Sequence, residues 1–141
     1  MKNNLSLGML LKLLTENLEK ELNNKLKNYD LTMSQMGALL FLREKPSKSM
    51  SLKELEKELH VAQSTAAGIA SRLEAKGFIE AYGQKDDKRI KMIRVTDSGE
   101  KYCDIGDRDL FETEAKMLQK LSDEEGEELL RILTKMTYGL L

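Results

Sequence analysis

Residues Ser51–Val95, SLKELEKELHVAQSTAAGIASRLEAKGFIEAYGQKDDKRIKMIRV, predict two short helices followed by a β-hairpin. Ser51 can cap the first helix, and Glu54, three residues later, can complete a capping box. Leucines then recur at the helical period, opposite a run of lysines and glutamates, at Leu52, Leu55 and Leu59. This pattern indicates a helix that buries one face and exposes the other.

A second helix follows the short turn at residues 60–62. Its inner face carries small and apolar side chains at helical spacing, namely Ala66, Ile69, Ala70 and Leu73. We expect Gly77 to end this helix in the left-handed conformation, where glycine meets no steric penalty. Two short helices joined so tightly predict a helix-turn-helix, whose second helix enters the major groove of duplex DNA.

Two strands are expected after Gly77, at residues 78–82 and 89–95, joined by a polar loop at residues 83–88. Residues 84–94 contain five cations and two acids, a local charge of +3. A basic hairpin beside a helix-turn-helix suits phosphate contacts and insertion of an arginine into a narrow minor groove. Asp87 lies two residues before Arg89 and can hold its guanidinium in a fixed position.

The predicted DNA contacts fall on both elements. The first turn of the second helix would face base edges, through Gln63, Ser64 and Thr65. Gly68 and Ser71 share this outward face, and Arg72 lies nearer the far end of the helix. The remaining candidates are Ser51, Lys85 and Lys88 for phosphates, and Arg89, held by Asp87, for the minor groove. The alternative is a polar first turn that faces water and an ordinary solvated hairpin tip.

This ordered pattern, along essentially the whole chain, resembles the MarR family of bacterial winged-helix repressors. The matching segments are Leu31–Gln35, Ser51–Leu55, Gln63–Thr65, Leu73–Ile79, Asp87–Arg89, Val95–Gly99 and Leu121–Glu125. The expected fold is therefore mainly α with a small β-hairpin wing: a winged helix-turn-helix plus a helical dimerisation lobe. The resemblance implies a homodimer that binds a near-palindromic operator in double-stranded DNA. Family members are typically repressors, and many release DNA when a small, often aromatic, effector binds between the two lobes.

Three departures from the family pattern support a second hypothesis. Asp86 replaces the first arginine of the usual Asp-x-Arg-Asp-x-Arg wing motif. Ala62 stands where a capping serine or aspartate is common before the recognition helix, and Gly68 stands where arginine or another polar residue is common. The alternative function is therefore a winged-helix protein-interaction module with weak or no DNA binding.

Length and charge fit a single domain, residues 1–141, with two lobes. The chain is long enough to form a core of its own. We expect residues 29–96 to form the DNA-binding lobe and residues 1–28 and 97–141 to form the helical dimerisation lobe. Residues 29–96 carry a net charge of +3, whereas residues 97–141 carry −6. This polarity would hold the acidic helices away from DNA.

Three long helices are predicted for the dimerisation lobe, and the last of them starts at Ser122. The first runs from about Asn3 to Asn28 and repeats leucine every three or four residues, a stripe longer than a small domain buries alone. The second runs from the wing to about Lys120, with an apolar side formed by Tyr102, Ile105, Leu110, Met117 and Leu121. The alternative to a dimer is a monomer that buries the same residues internally.

Capping boxes place the starts of three helices. The pairs are Thr32 with Gln35, Asp97 with Glu100, and Ser122 with Glu125. Each pair joins a residue that accepts from a free backbone N–H to one that reaches back three residues. We expect helices to begin at these three places.

The sequence predicts neither catalysis nor a metal or cofactor site. His60 is the single histidine and has no cysteine or histidine at metal-binding spacing. Cys103 is the single cysteine, which fits a reducing cytoplasm. Asp104 beside it would raise the thiol pKa, so we expect an inert buried thiol, with a redox sensor as the alternative.

No apolar run of 18 residues predicts a membrane span, and the N-terminal segment lacks the cleavage site of a signal peptide. We therefore expect a cytoplasmic protein. If an effector is bound, we expect it in the cleft between the first helix, the helix that begins at Thr32 and the helix after the wing.

Overall fold

The computed structural model describes residues 4–140, which form six α-helices and a three-stranded antiparallel sheet. The helices are α1 (Leu7–Leu26), α2 (Met33–Glu44), α3 (Leu52–Leu59), α4 (Gln63–Ala75), α5 (Asp97–Met117) and α6 (Asp123–Leu140). The strands are β1 (Ser49–Ser51), β2 (Ile79–Gly83) and β3 (Lys91–Val95). Short 3₁₀ turns, Lys27–Tyr29 and Leu118–Lys120, follow α1 and α5. The mainly helical fold class with a small β wing is confirmed.

Local capping chemistry explains where most of these helices begin. The Thr32–Gln35 capping box is formed in both directions, with N···O distances of 3.2 Å each. The Ser122–Glu125 box is also reciprocal, at 3.0 and 3.1 Å. Ser51 caps α3 by accepting from the Glu54 N–H at 3.0 Å. The Glu54 carboxylate accepts from the Ser51 hydroxyl rather than from its backbone N–H, so only half of that predicted box forms.

Gly77 ends α4 as predicted. Its φ is +77°, and its N–H donates to the Glu74 carbonyl while the Phe78 N–H donates to the Leu73 carbonyl. These two bonds form a Schellman motif, which satisfies the last carbonyls of the helix. The chain can therefore turn directly from α4 into β2.

The wing differs from the predicted hairpin in two respects. Residues Ser49–Ser51, of which Ser51 was predicted as a helix cap, form a third strand that pairs with β3, giving the order β1-β3-β2. The hairpin strands are Ile79–Gly83 and Lys91–Val95, so Arg89 lies in the loop rather than in a strand. A three-residue strand carries too short an alternation to be recognised in sequence, and its pairing is set by the tertiary position of β3.

The core lies between α2, α3, α4, the sheet and the first half of α5. Its most deeply buried large side chains are Leu39, Leu42, Met50, Leu55, Leu73, Ile79 and Ile93. Tyr102 of α5 contacts the Phe78 ring with centroids 4.4 Å apart and the Tyr29 ring at 6.0 Å. The predicted inner faces of α3 and α4 are confirmed, since Leu55, Ala66, Ile69, Ala70 and Leu73 are buried.

The start of α5 corrects a predicted cap. Thr96, rather than Asp97, is the N-cap, and its hydroxyl accepts from the Gly99 N–H at 3.1 Å. The same hydroxyl donates to the Gly77 carbonyl at 2.6 Å, and the Thr96 N–H donates to the Phe78 carbonyl. Thr96 is the N-cap because its hydroxyl can donate and accept at the same time, which an ionised carboxylate cannot do.

Helix α5 buries a stripe of residues beside its predicted apolar side. The bulky residues Tyr102, Ile105, Leu110 and Met117 are half-buried and Leu121 is exposed, whereas the buried stripe is Gly99, Cys103, Gly106, Asp109 and Thr113. These small side chains allow a close approach to α2 and the wing. A Cβ at Gly106 would lie 2.5 Å from the Met36 sulfur, and one at Gly99 would overlap the Phe78 carbonyl oxygen.

The two ends of the chain expose their apolar residues. Helix α1 begins at Leu7 behind a Ser6 cap, while Asn3, the predicted start, lies outside the described residues. Along α1 only Leu22 and Leu26 are buried, and Leu7, Leu10, Leu11, Leu13 and Leu14 are exposed. Helix α6 exposes Leu130, Ile132, Met136 and Tyr138. Within residues 4–140, no helix combines the length and apolar character required to cross a membrane.

Candidate nucleic-acid interface

The recognition helix α4 presents a polar, uncapped N-terminus. Gln63, Ser64 and Thr65 are all exposed, in line with the predicted outward face. Ala62, the N-cap residue, supplies no side-chain hydrogen bond. The backbone N–H groups of the first turn are therefore not covered by a capping side chain. Such groups, at the positive end of the helix dipole, suit an anion such as a DNA phosphate.

Asp87 holds Arg89 at the wing, as predicted. The Arg89 Nε and Nη2 atoms donate to the two carboxylate oxygens of Asp87, at 3.0 and 3.1 Å, and the Arg89 backbone N–H also donates to Asp87. The Arg89 side chain is nevertheless 91% exposed. The hydrogen bonds from Arg89 lower the Asp87 pKa, and the carboxylate raises the Arg89 pKa. The pair thus stays charged and fixes the direction of an exposed guanidinium.

The loop that carries this pair is closed by backbone contacts. The Gln84 N–H donates to the Ile90 carbonyl and the Ile90 N–H to the Asp87 carbonyl, both at 3.0 Å. Gly83 lies against Lys88, since a Cβ there would be 2.9 Å from the Lys88 carbonyl oxygen. Lys85 and Lys88 project from this loop into solvent. The predicted cations therefore lie on one exposed hairpin tip.

A groove of about 360 Å³ separates the wing from the helix-turn-helix. Ser51, Gln63 and Arg89 all line it, so three predicted contacts from distant parts of the chain come together. Lys53 and Lys91 line the same groove, although neither was proposed as a DNA contact. Lys91 could have been found from its place in the basic stretch, whereas Lys53 resembles any exposed lysine of an amphipathic helix.

Arg72 belongs to another part of the surface. Its guanidinium lies near Gly68, where an added Cβ would be 3.3 Å from the Arg72 Nη1 atom. The side chain lines a separate groove with Lys27 and Lys76. Ser71 is exposed on α4 and is absent from the lining of the wing groove. Gly68, Ser71 and Arg72 thus lie apart from the group formed by Ser51, Gln63 and Arg89.

Arg94, counted among the five cations of the wing, is engaged within the sheet. Its Nη2 atom donates to Glu80 at 3.1 Å, and its guanidinium lies 5.0 Å from the centre of the Tyr82 ring. An arginine held by a carboxylate and a ring is less available to a phosphate. The basic character of the wing therefore comes chiefly from Lys85, Lys88, Arg89 and Lys91.

Residues 31–91, from the start of α2 to the start of β3, match the family model described as MarR family. This central segment of the chain therefore matches the MarR family. The structure of S. aureus MepR in complex with DNA is similar, with 26% identity, a TM-score of 0.80, and coverage of 96% of this chain and 99% of that one. A second MepR structure describes the protein as a transcription regulator of the Staphylococcus aureus multidrug efflux pump MepA. The match covers 97% of this chain and 100% of the MepR chain, at 26% identity and a TM-score of 0.79.

Wild-type MarR from E. coli in its apo form has the same fold, with a TM-score of 0.86 at 24% identity, covering 96% of this chain and 98% of its own. The structural similarity extends well beyond the matched segment, so α1, α5 and α6 also follow the fold of these proteins. Members of the family are transcription regulators. The expected resemblance is confirmed.

Cys103 is a buried thiol. Its side chain is fully enclosed at the α5 edge of the core, and this burial raises the thiol pKa to about 11. Asp107 and Asp104 add to the effect and Arg43 opposes it, so burial rather than the neighbouring acid is the main cause. Because the thiolate is the reactive form, the geometry favours the inert thiol over the redox sensor.

His60 has a backbone role. It caps the end of α3 with a φ of +54°, and its N–H donates to the Lys57 carbonyl. In residues 4–140, no three His, Cys, Asp or Glu side chains are arranged to hold a metal ion.

Proposed function

We propose that this chain is a dimeric, sequence-specific DNA-binding regulator of the MarR family. The observation that carries the proposal is the exposed Arg89, fixed by two hydrogen bonds from its guanidinium to Asp87, beside a groove shared with Ser51 and Gln63. A guanidinium held in this way loses little conformational freedom when it enters a minor groove. The neighbouring helix N-terminus supplies the matching major-groove contact.

Each predicted contact then has a role. Gln63, Ser64 and Thr65 would contact base edges, and Gly68 and Ser71 would let the helix surface approach the groove wall. Phosphates would be bound by Ser51, Lys85 and Lys88, together with Lys53 and Lys91, which line the wing groove with Ser51. Arg72, which lies apart from that group, would meet the DNA backbone at the edge of the contact.

The exposed leucines at the chain ends support the homodimer. Leu10 and Leu14 on α1 are 41% and 51% exposed, and Leu130 on α6 is 57% exposed. Apolar stripes of this size are rare on monomers and mark association surfaces. A two-fold dimer would bring two recognition helices to successive turns of DNA, so its operator would be near-palindromic. Residues 29–96 would form the DNA-binding lobe, and residues 1–28 and 97–141 the dimerisation lobe.

The regulator is proposed to be a ligand-responsive repressor. The similar protein MepR is described as a regulator of a multidrug efflux pump, a system in which a response to small molecules is useful. In this chain a cleft does lie between α1, α2 and α5, where an effector was expected. A small effector bound there would contact helices of both lobes, so it could change their relative position.

DNA binding is tested by fluorescence anisotropy of the purified protein with the DNA upstream of its own gene and with a scrambled duplex, at two salt concentrations. We expect tighter, salt-sensitive binding to the upstream DNA, with a slope of log affinity against log salt of about −0.9 per phosphate contact. Equal weak binding to both duplexes would place the operator elsewhere. An absence of binding at low salt would instead favour the protein-interaction module.

A further inference from the structure

The cleft between α1, α2 and α5 has a volume of about 110 Å³. Its walls are mostly apolar: Leu22 and Leu26 from α1, Met36 and Leu40 from α2, and Leu110 from α5. An apolar cavity of ~150 Å³ is known to accept benzene. The cleft is smaller than that cavity, so it has room for a short alkyl group or part of a ring, with the remainder of a ligand extending outward.

One carboxylate belongs to this apolar lining. Asp109 is only 6% exposed, and its Oδ2 atom is fully buried with no hydrogen-bond partner in the described part of the chain. The nearby donors are directed elsewhere. The Thr113 hydroxyl donates to the Asp109 backbone carbonyl at 2.8 Å, and the Lys25 ammonium lies 3.5 Å from that carbonyl and 3.4 Å from Glu112.

An unpaired buried carboxylate oxygen is costly, because the group has lost its water without gaining a donor. An apolar side chain at position 109 would fill the space between these helices without that cost. Asp109 therefore stabilises the packing of these helices less than an apolar side chain would. The same carboxylate would be satisfied if a ligand in the cleft donated a hydrogen bond to it.

We infer that the cleft binds a small apolar organic cation, whose protonated amine donates to Asp109 while its ring or alkyl group contacts the leucines and Met36. The inference rests on the proposed regulatory function and adds the chemical class of the effector. It differs from the expectation of an aromatic effector in one respect, since the charge of the ligand must be positive. An aromatic carboxylate would place its own charge against Asp109.

The position of the cleft relates ligand binding to the DNA-binding elements. Gly37 of α2 lines the cleft on one side and lies close to Leu59 of α3 on the other, where an added Cβ would be 3.7 Å away. A ligand seated against Gly37 therefore pushes on a helix that packs directly on the helix-turn-helix. Gly106, also in the lining, leaves no spare room between α5 and Met36.

The test compares benzylamine with its neutral and anionic counterparts, benzyl alcohol and benzoate, on the full-length protein. Calorimetric affinity and the shift in melting temperature are measured for the wild type, for Asp109→Asn and for Glu114→Gln, a control that removes an exposed carboxylate from the same helix. We expect benzylamine to bind and stabilise the wild type and the control. Asp109→Asn should weaken binding about tenfold or more, since it removes the charge but keeps the shape.

A further variant tests the cost of the unpaired oxygen. Asp109→Leu should raise the melting temperature of the ligand-free protein and abolish the benzylamine effect. If Asp109→Leu instead weakens association of the two copies, Asp109 is satisfied by the partner subunit and the inference is wrong. Equal binding of benzylamine and benzoate would also overturn it, and this comparison needs no variant.

Anisotropy with the upstream DNA separates this inference from the proposed function. Benzylamine should lower the DNA affinity of the wild type and leave that of Asp109→Asn unchanged. Retained DNA binding without benzylamine binding would refute the cation site alone. Benzylamine binding through Asp109 without DNA binding would support the site and refute the regulator.

Discussion

The winged-helix region and the two ends of the chain bury their apolar residues very differently. Between positions 29 and 96, the exposed large hydrophobic side chains are Phe41, Tyr82 and Ile90. All the other exposed large hydrophobic side chains that the structure describes lie before Leu18 or after Asp109. They are on or just before α1, in the second half of α5, and on or just before α6. The winged helix is complete within one chain, whereas the terminal helices have the composition of a core and the exposure of a surface.

Charge follows the same division. Residues 29–96 are net positive and residues 97–141 are strongly negative. A surface that is both acidic and rich in exposed leucine suits a partner protein and repels DNA, while the basic wing does the reverse. Under the proposed function, the basic region would therefore meet DNA and the acidic, leucine-rich ends would meet a second copy of the chain.

The largest effect is expected from charges placed on the terminal helices. The double variant Leu14→Glu/Leu130→Glu should convert the dimer to a monomer, because each leucine buried at an interface contributes about 1.5–3 kcal/mol and occurs twice in a dimer. Sedimentation or light scattering measures the mass in solution. Phe41→Glu, an exposed hydrophobic of the winged-helix region, is the control and should remain dimeric. A dimeric double variant would mean that the copies associate elsewhere.

Replacing a glycine by alanine should have opposite effects on stability at the tightly packed start of α5 and on the exposed helix α6. Gly99→Ala should lower the free energy of unfolding by about 1–3 kcal/mol, because its Cβ would overlap the Phe78 carbonyl. The same change at Gly126 in α6 meets nothing within 4 Å and should raise stability by about 0.5–1 kcal/mol through helix propensity. Urea unfolding of the two variants measures both values. Equal effects at the two sites would contradict the close contact of α5 with the wing.

Alkaline pH should weaken the edge of the core at Cys103. Burial raises the thiol pKa from its ordinary value of 9.0 to about 11, so the folded protein keeps this proton to a higher pH than the unfolded chain. The associated stability is present below pH 9.0 and is lost as the pH rises towards 11. We expect a loss of about 2 kcal/mol relative to Cys103→Ala, measured by chemical unfolding at several pH values. Parallel pH profiles of the two proteins would show that the thiol is solvated.

Two single substitutions divide the DNA contact between backbone and bases. Arg89→Ala should weaken binding to all duplexes about tenfold and reduce the salt slope by about 1, whereas Gln63→Ala should change which operator is preferred. Lys135→Ala, on exposed α6, should change neither. Anisotropy with the upstream and scrambled duplexes measures these effects. An Arg89→Ala protein with unchanged affinity and salt slope would show that the wing does not touch DNA.

Much of the winged-helix region could be predicted because its determinants are local. Capping at Thr32 and Ser51, the left-handed Gly77, and the Asp87–Arg89 pair each depend on residues within a few positions. The apolar periods of α3 and α4 place their inner faces correctly, since a tight turn leaves these helices few ways to pack. The site residues themselves remain predictions, although Ser51, Gln63 and Arg89 are brought together.

Other features depend on tertiary contacts that sequence does not display. Strand β1 exists because β3 lies beside Ser49–Ser51. The buried stripe of α5 consists of small residues because the helix lies close to Met36 and Phe78, and small residues give no apolar period in the sequence. Asp109 lies within that stripe, and the spacing of Cys103, Gly106, Asp109 and Thr113 was the pattern that could have identified it.

Thr96 links the recognition helix α4 to the long helix α5. Two of its hydrogen bonds reach the residues that follow α4, and a third caps α5, so the end of one helix is tied to the start of the other. Helix α5 is 21 residues long, which corresponds to ~30 Å. In the proposed dimer, a rotation of one α5 by ~10° about its far end would carry the attached recognition helix ~5 Å, more than the axial rise of ~3.4 Å per base pair of DNA. A slight change of angle deep in the dimer would thus be enough to put the two recognition helices out of register with DNA.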